Sequence, residues 1–249
     1  LPKEYEELRE EALYNLRSYM DSLDPKKGRI LAYWIKDYTR FLKKEATFDP
    51  KKLIRYKRGS IVKAHLGYRI GSEEGGLHYA VVVDVHNALS SKTLTVIPLT
   101  SLKPTSKIYA SQVLLGDEIY NRLESKIIHT IEEAEALERD ITQRLAELEN
   151  MPPDADGAKP TITAFERRLL SGGIDTIKQK ISLAKKMSSE IHKMKTGSIA
   201  LVNQITTISK IRIYDPMYPL DTLSGIRLSD ESLDKLDTQI RALYTKTDK

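Results

Sequence analysis

The stretch Gly71–Thr100, GSEEGGLHYAVVVDVHNALSSKTLTVIPLT, sets an imidazole at His78 between a glycine-rich loop and a pair of hydroxyls, Thr100 and its neighbour Ser101. Imidazole has an unperturbed pKa near ~6.5, so it can exchange protons close to neutrality. Gly67, Gly71, Gly75 and Gly76 crowd one short interval. Such a loop turns sharply and lets a ligand come close to the backbone.

Strands must position these groups. His78-Tyr79-Ala80-Val81-Val82-Val83 is apolar on both faces, the pattern of a buried central strand. Turn residues at Asn87–Ser91 lead to a returning strand at Thr93–Leu99. A hairpin so built puts His78, near the start of one strand, beside the end of the other, where Thr100 and Ser101 follow. Further strands are predicted at Ser60–Leu66, Ile108–Leu115, Ser198–Asn203 and Ile205–Ile208, with Lys103–Lys107 as a loop and a last helix from Ser229.

Two helical regions flank or interrupt these strands. In residues 3–47, apolar stripes through Tyr5, Leu8, Leu16 and Tyr19, then Leu31, Trp34, Tyr38 and Phe41, predict two helices packed as a docked antiparallel hairpin. Asp24-Pro25 marks the break between them. Trp34 either packs in the core or stacks on a base, and its place on the stripe favours the core. Between about Asp117 and Thr196, near-heptad apolar spacing predicts two legs of about 30 residues, each roughly 45 Å long. One is acidic through Glu132, Glu133, Glu135 and Glu138, the other basic through Lys178, Lys180, Lys185 and Lys186, which favours an antiparallel coiled-coil hairpin. Met151–Thr163 is its hinge, and Gly172-Gly173 is expected to bend the second leg or delay its start. Because its ends return to neighbouring strands, this hairpin is expected to project without being needed for the fold and to serve protein–protein contact.

Composition narrows the classes. The chain has 249 residues, 40% of them hydrophobic, enough for a sizeable core. No apolar run approaches the ~20 residues of a spanning helix, so no membrane association and a cytoplasmic place of action are expected. A first residue of Leu predicts that the natural chain starts upstream. The absence of cysteine excludes disulfides and thiolate metal sites, and five scattered histidines without a close-spaced pair argue against a histidine metal site; no cofactor is expected. A net charge of +5 leans towards a polyanionic partner. The basic run Lys51, Lys52, Arg55, Lys57 and Arg58 is either a solvated surface or a set of phosphate contacts.

Five segments in order, KRGSIV at Lys57–Val62, GSEEGG at Gly71–Gly76, AVVV at Ala80–Val83, IPLTS at Ile97–Ser101 and ALVNQITTISKIRI at Ala200–Ile213, resemble the PemK/MazF family of toxins from type II toxin–antitoxin systems. The resemblance implies an α+β protein. A small SH3-like β-barrel, built from 51–116 and 197–249, would be preceded by an N-terminal helical hairpin (1–50) and interrupted by a long antiparallel helical hairpin (117–196). It also implies a homodimer, a cognate antitoxin and metal-independent endoribonuclease cleavage of single-stranded RNA.

By position the resemblance assigns catalysis to Glu73 and Thr100, and sets His78 where the family has arginine and Tyr79 where it often has proline. Cutting RNA without a metal requires taking the 2′-OH proton, stabilising charge on phosphorus and protonating the departing 5′-oxygen. His78 can transfer protons as arginine cannot; the alternative is a strand histidine hydrogen-bonded in the core. Glu73 acts directly, orients His78 or holds the loop. Ser101 would contact the scissile phosphate, and Arg69 and Lys103 are candidates for the missing fixed positive charge. Asn203, Gln204, Thr207, Ser209, Lys210 and Arg212 would add to the RNA-binding surface. A second function class stays open: a non-catalytic barrel that binds nucleic acid or DNA gyrase, with no reason to keep Glu73, His78 and Thr100 together.

Overall fold

The structure, a computed structural model, describes residues 2–150, 163–194 and 197–246. Among the described residues five α-helices and seven strands follow in the order α1 (Lys3–Ser22), α2 (Pro25–Glu45), β1 (Ile61–His65), β2 (Leu77–Val82), β3 (Thr93–Ser101), β4 (Gln112–Gly116), α3 (Glu118–Glu149), α4 (Ala164–Ile191), β5 (Ser198–Leu201), β6 (Thr206–Ser209), β7 (Ile213–Asp215) and α5 (Asp230–Tyr244). The class is α+β.

All strand pairs are antiparallel, in the order β4-β5-β3-β2-β1-β7, with β6 also on β3. β3 changes partner along its length: Thr93–Val96 pairs with β6 and Leu99–Ser101 with β5. Among the described residues the ladder from β4 to β7 stays open. From Ala80 to Val82 β2 is buried on both faces, because successive side chains of a strand point to opposite sides, while Leu77 is exposed and His78 and Tyr79 are half-buried. Val81 joins one core with Ile61, Ile97 and Leu99; Ala80 and Val82 join another with Tyr56, Val62 and Leu94.

Where the structure departs from the sequence expectations, burial gives the reason. The long hairpin does not merely project. Ile119 and Leu123 of α3 and Leu183, Met187 and Ile191 of α4 lie in the same core as Val81, Ile97 and Leu99. Its root is therefore part of the sheet's interior, which heptad spacing alone could not reveal. The legs run antiparallel, with Lys180 of α4 paired to Glu133 of α3 and Gly173 against Ile141. A Cβ at Gly173 would come within 2.6 Å of Ile141 Cδ1, so the glycine permits close approach of the helices, and α4 continues through Gly172-Gly173 instead of starting there. Of the expected hinge only Thr163, which caps α4 in a reciprocal bond with Glu166, is described; 151–162 lie outside the described residues.

The N-terminal pair is not a docked hairpin. No residue of α1 is buried, and Tyr5, Leu8 and Tyr19 are at least half exposed. Only α2 packs on the sheet, through Trp34 on His65 with ring centroids 4.5 Å apart and Phe41 edge-on to Tyr214. At the break that Asp24-Pro25 marks in the sequence, Asp24 caps α2, accepting from the amides of Lys26 and Lys27. β4 is shorter than predicted, since Tyr109–Gln112 forms a turn closed at both ends by hydrogen bonds between those two residues. The predicted strand Ser198–Asn203 likewise stops at Leu201, where Val202–Gln204 makes a 3-10 turn.

Candidate active site

His78 stands second in β2, opposite Ala64 of β1, and its ring reaches across to β3. Nδ1 lies 3.4 Å from the Leu99 carbonyl oxygen, and Nε2 lies 3.0 Å from Oε1 of Glu74. Neutral imidazole carries one N–H, so both acceptors are satisfied together only by the imidazolium. The hydrogen bond that His78 donates to Glu74 raises the pKa of His78 above the ordinary histidine value, against burial, which acts the other way. His78 thus remains protonated to higher pH than a free imidazole.

Thr100 and Ser101 end β3, and Ser198 begins β5 opposite Ser101. With His78, Tyr79 and Lys193 they line a cleft of about 220 Å³. The structure therefore brings together His78, Thr100 and Ser101, as the hairpin reading requires. Leu77, Leu99, Ile119 and Met194 make up the apolar part of the cleft's wall, and an imidazolium and several hydroxyls at its polar part can hold a phosphate and give it a proton.

Glu73 takes a different place. Its carboxylate accepts the Ile70 amide at 3.1 Å and its side chain is exposed, so it closes the loop while Glu74 meets the imidazole. The reason is the loop's backbone. Gly75 packs onto the chain at Arg69, where a Cβ would lie 2.8 Å from the Arg69 Cβ. The Glu74 amide donates to Gln204 Oε1 at 2.6 Å, and Gln204 Nε2 donates to the Ser72 carbonyl. Two adjacent glutamates and no knowledge of that clamp leave the choice between them undecided in sequence.

The expected RNA-binding residues divide. Gln204 holds the loop, as just described. Lys210 is 2% exposed, with its ammonium on the Ala88 carbonyl and 5.8 Å from the Tyr56 ring centre, so it belongs to the interior and not to a binding surface. Burial lowers its pKa. Arg212 donates through Nε to the His65 carbonyl at 2.7 Å and lies over Trp34, bracing β1 against α2. Thr207 is exposed beside Thr95, and Ser209 accepts from the Ile211 amide; both belong to the β6 ladder on the first half of β3, at the other end of that strand from Thr100. Asn203 is exposed in the 3-10 turn. Arg69 and Lys103 are exposed in loops, and the charge of Arg69 opposes protonation of His78, which puts it within electrostatic reach of the imidazole.

Sequence reasoning missed a second network. The Tyr79 hydroxyl donates to Glu190 of α4, which also pairs with Lys63 of β1. Burial and the bond to Glu190 push the Tyr79 phenol far up, so it stays protonated and serves as a tie. Burial favours the neutral form of Glu190, but the bonds from Lys63 and Tyr79 hold its pKa below the ordinary carboxylate value. Tyrosine at this position thus joins β2 to the inserted hairpin. No local signal in the sequence connects residues so far apart.

The fold and site define an α+β protein with an antiparallel sheet that holds a histidine–carboxylate pair beside a hydroxyl-lined cleft. Residues 57–150 match the family described as PemK-like, MazF-like toxin of type II toxin-antitoxin system, and over that span the chain is similar to it. The match runs from the turn before β1 through the glycine loop and His78 to the end of α3. A search of curated proteins found no match. No described helix is long and apolar enough to cross a membrane.

Proposed function

We propose that this chain is the toxin of a type II toxin–antitoxin system and acts as a metal-independent endoribonuclease on single-stranded RNA. The observation that carries it is the imidazole of His78, held between Glu74 and the Leu99 carbonyl beside Thr100 and Ser101, within the span matched to the toxin family. In the reaction, the ribose 2′-oxygen attacks phosphorus and the bond to the 5′-oxygen breaks, leaving a 2′,3′-cyclic phosphate and a 5′-hydroxyl. The imidazolium offsets charge on the phosphorane and gives its proton to the 5′-oxygen. Glu74 is the basic member of the pair and takes the proton of the 2′-hydroxyl; Thr100 and Ser101 donate to the non-bridging oxygens. Glu73 holds the loop in place.

On the same reading the curved sheet is the family's SH3-like barrel, formed from 51–116 and 197–249 around an insertion whose root shares its core. A homodimer, a cognate antitoxin and cytoplasmic action go with it.

Incubation of the purified protein with total RNA in EDTA tests the activity. Fragments ending in 2′,3′-cyclic phosphate are expected. Intact RNA together with stalled gyrase supercoiling would replace this function with that of a gyrase-binding barrel.

The pH dependence follows from the raised pKa of His78. A reaction that uses the imidazolium proceeds below that pKa and fades as pH rises through it. Glu74→Gln removes the largest cause of the shift, so the alkaline limb of kcat/KM is expected to move to lower pH, with a lower plateau. Limbs that coincide for wild type and variant would remove Glu74 from its role.

A further inference from the structure

The helical insertion adds a group to the cleft as well as to the core. α4 ends at Ile191, and the chain turns at once so that Lys193, whose amide donates to the Glu190 carbonyl at 3.0 Å, lines the same cleft as His78, Thr100, Ser101 and Ser198. Lys193 is exposed and forms no ion pair within 4 Å among the described residues. Glu190, whose pKa the charge of Lys193 helps to lower, is already engaged by Lys63 and the Tyr79 hydroxyl. The root of the insertion is held by Met187 and Ile191 in the core, and Lys193 follows two residues after Ile191.

We propose that Lys193 binds the RNA phosphate in the His78 cleft, supplying from the insertion a cation that does not depend on the protonation of His78. The inference rests on the endoribonuclease reading for its substrate. Histidine can move a proton but loses its charge when it does, whereas lysine keeps its charge through the reaction. With both present, one group transfers protons and the other holds the anion. Tyr79 then serves that division of labour, since its bond to Glu190 anchors the end of α4 against β2.

The test is binding of a short 2′-O-methyl RNA oligonucleotide, which has no 2′-hydroxyl to attack, measured against salt concentration. For Lys193→Ala, affinity is expected to fall and the slope of log K against log salt to become shallower by about 0.7, the value for one phosphate contact on a single strand. Lys193→Arg should restore the slope, and Lys178→Ala, on an exposed part of α4, should leave it unchanged. A lysine that only neutralises Glu190 and the carbonyl end of α4 would lower Tm with no change of slope, and that result overturns the proposal. Cleavage by the wild type with an unchanged slope in Lys193→Ala overturns the Lys193 assignment alone. A Lys193-dependent slope in a protein that cuts no RNA keeps the assignment and removes the endoribonuclease reading. Failure of the wild type to bind the oligonucleotide overturns both.

Discussion

Replacement of His78 with Ala is expected to slow RNA cleavage by roughly 10²-fold or more, the scale of a lost proton-transfer group. The ring has two acceptors, Glu74 Oε1 and the Leu99 carbonyl, and it faces the hydroxyl-lined cleft, so the variant loses both the proton and the charge. It also leaves the partly buried Glu74 carboxylate without its donor, so thermal unfolding must accompany the rate measurement. His78→Arg separates the two contributions. Arginine stays charged at any working pH, so it should recover charge stabilisation and lose the alkaline limb that imidazole gives. A folded Ala variant that cuts at the wild-type rate would take His78 out of the chemistry.

Excision of 118–195, with β4 joined to β5 by a short glycine-containing turn, is expected to yield a chain without a cooperative unfolding transition. It removes Ile119, Leu123, Leu183, Met187 and Ile191, all buried, and uncovers Val81, Ile97 and Leu99 beneath them. Each such side chain contributes roughly 1.5–3 kcal/mol on burial. Together they rival the whole net stability of a domain, about 5–15 kcal/mol. Excision of 135–178 alone spares that root and should leave a folded protein, because beyond Ala134 the legs pack chiefly on each other. Circular dichroism with thermal melting of the two variants decides the matter. A full excision that melts like the parent chain would show that the root is dispensable after all.

What the sequence made legible was whatever local pattern determines. The two-faced apolar run of β2, the return at β3 and the caps at Asp24 and Ser229 all depend on neighbours a few residues apart, and each lies where it was expected. The meeting of His78 with Thr100 followed from the hairpin alone. Amphipathic stripes told less: those of α1 and α4 look alike in sequence, yet one faces solvent and the other the core, because periodicity shows that a face is apolar and not what covers it. Glu74 was hidden behind its neighbour, since the choice depends on a clamp from Gln204 far along the chain. Lys210, read as a surface cation, is interior because its stem packs in the core while its ammonium finds a carbonyl and the Tyr56 ring. Glu190 and Lys193 reach the site only through the three-dimensional return of the insertion.

The most direct measurement takes an RNA oligonucleotide containing a mapped cleavage site, incubated in EDTA with wild type and with His78→Ala, beside a copy with a single 2′-deoxy nucleotide at the scissile position. Wild type should cut the all-ribose strand to a 2′,3′-cyclic phosphate and spare the 2′-deoxy strand, while the variant cuts neither at a comparable rate. Cleavage of the 2′-deoxy strand, or equal cleavage by the variant, would contradict a reaction driven by the 2′-hydroxyl and His78.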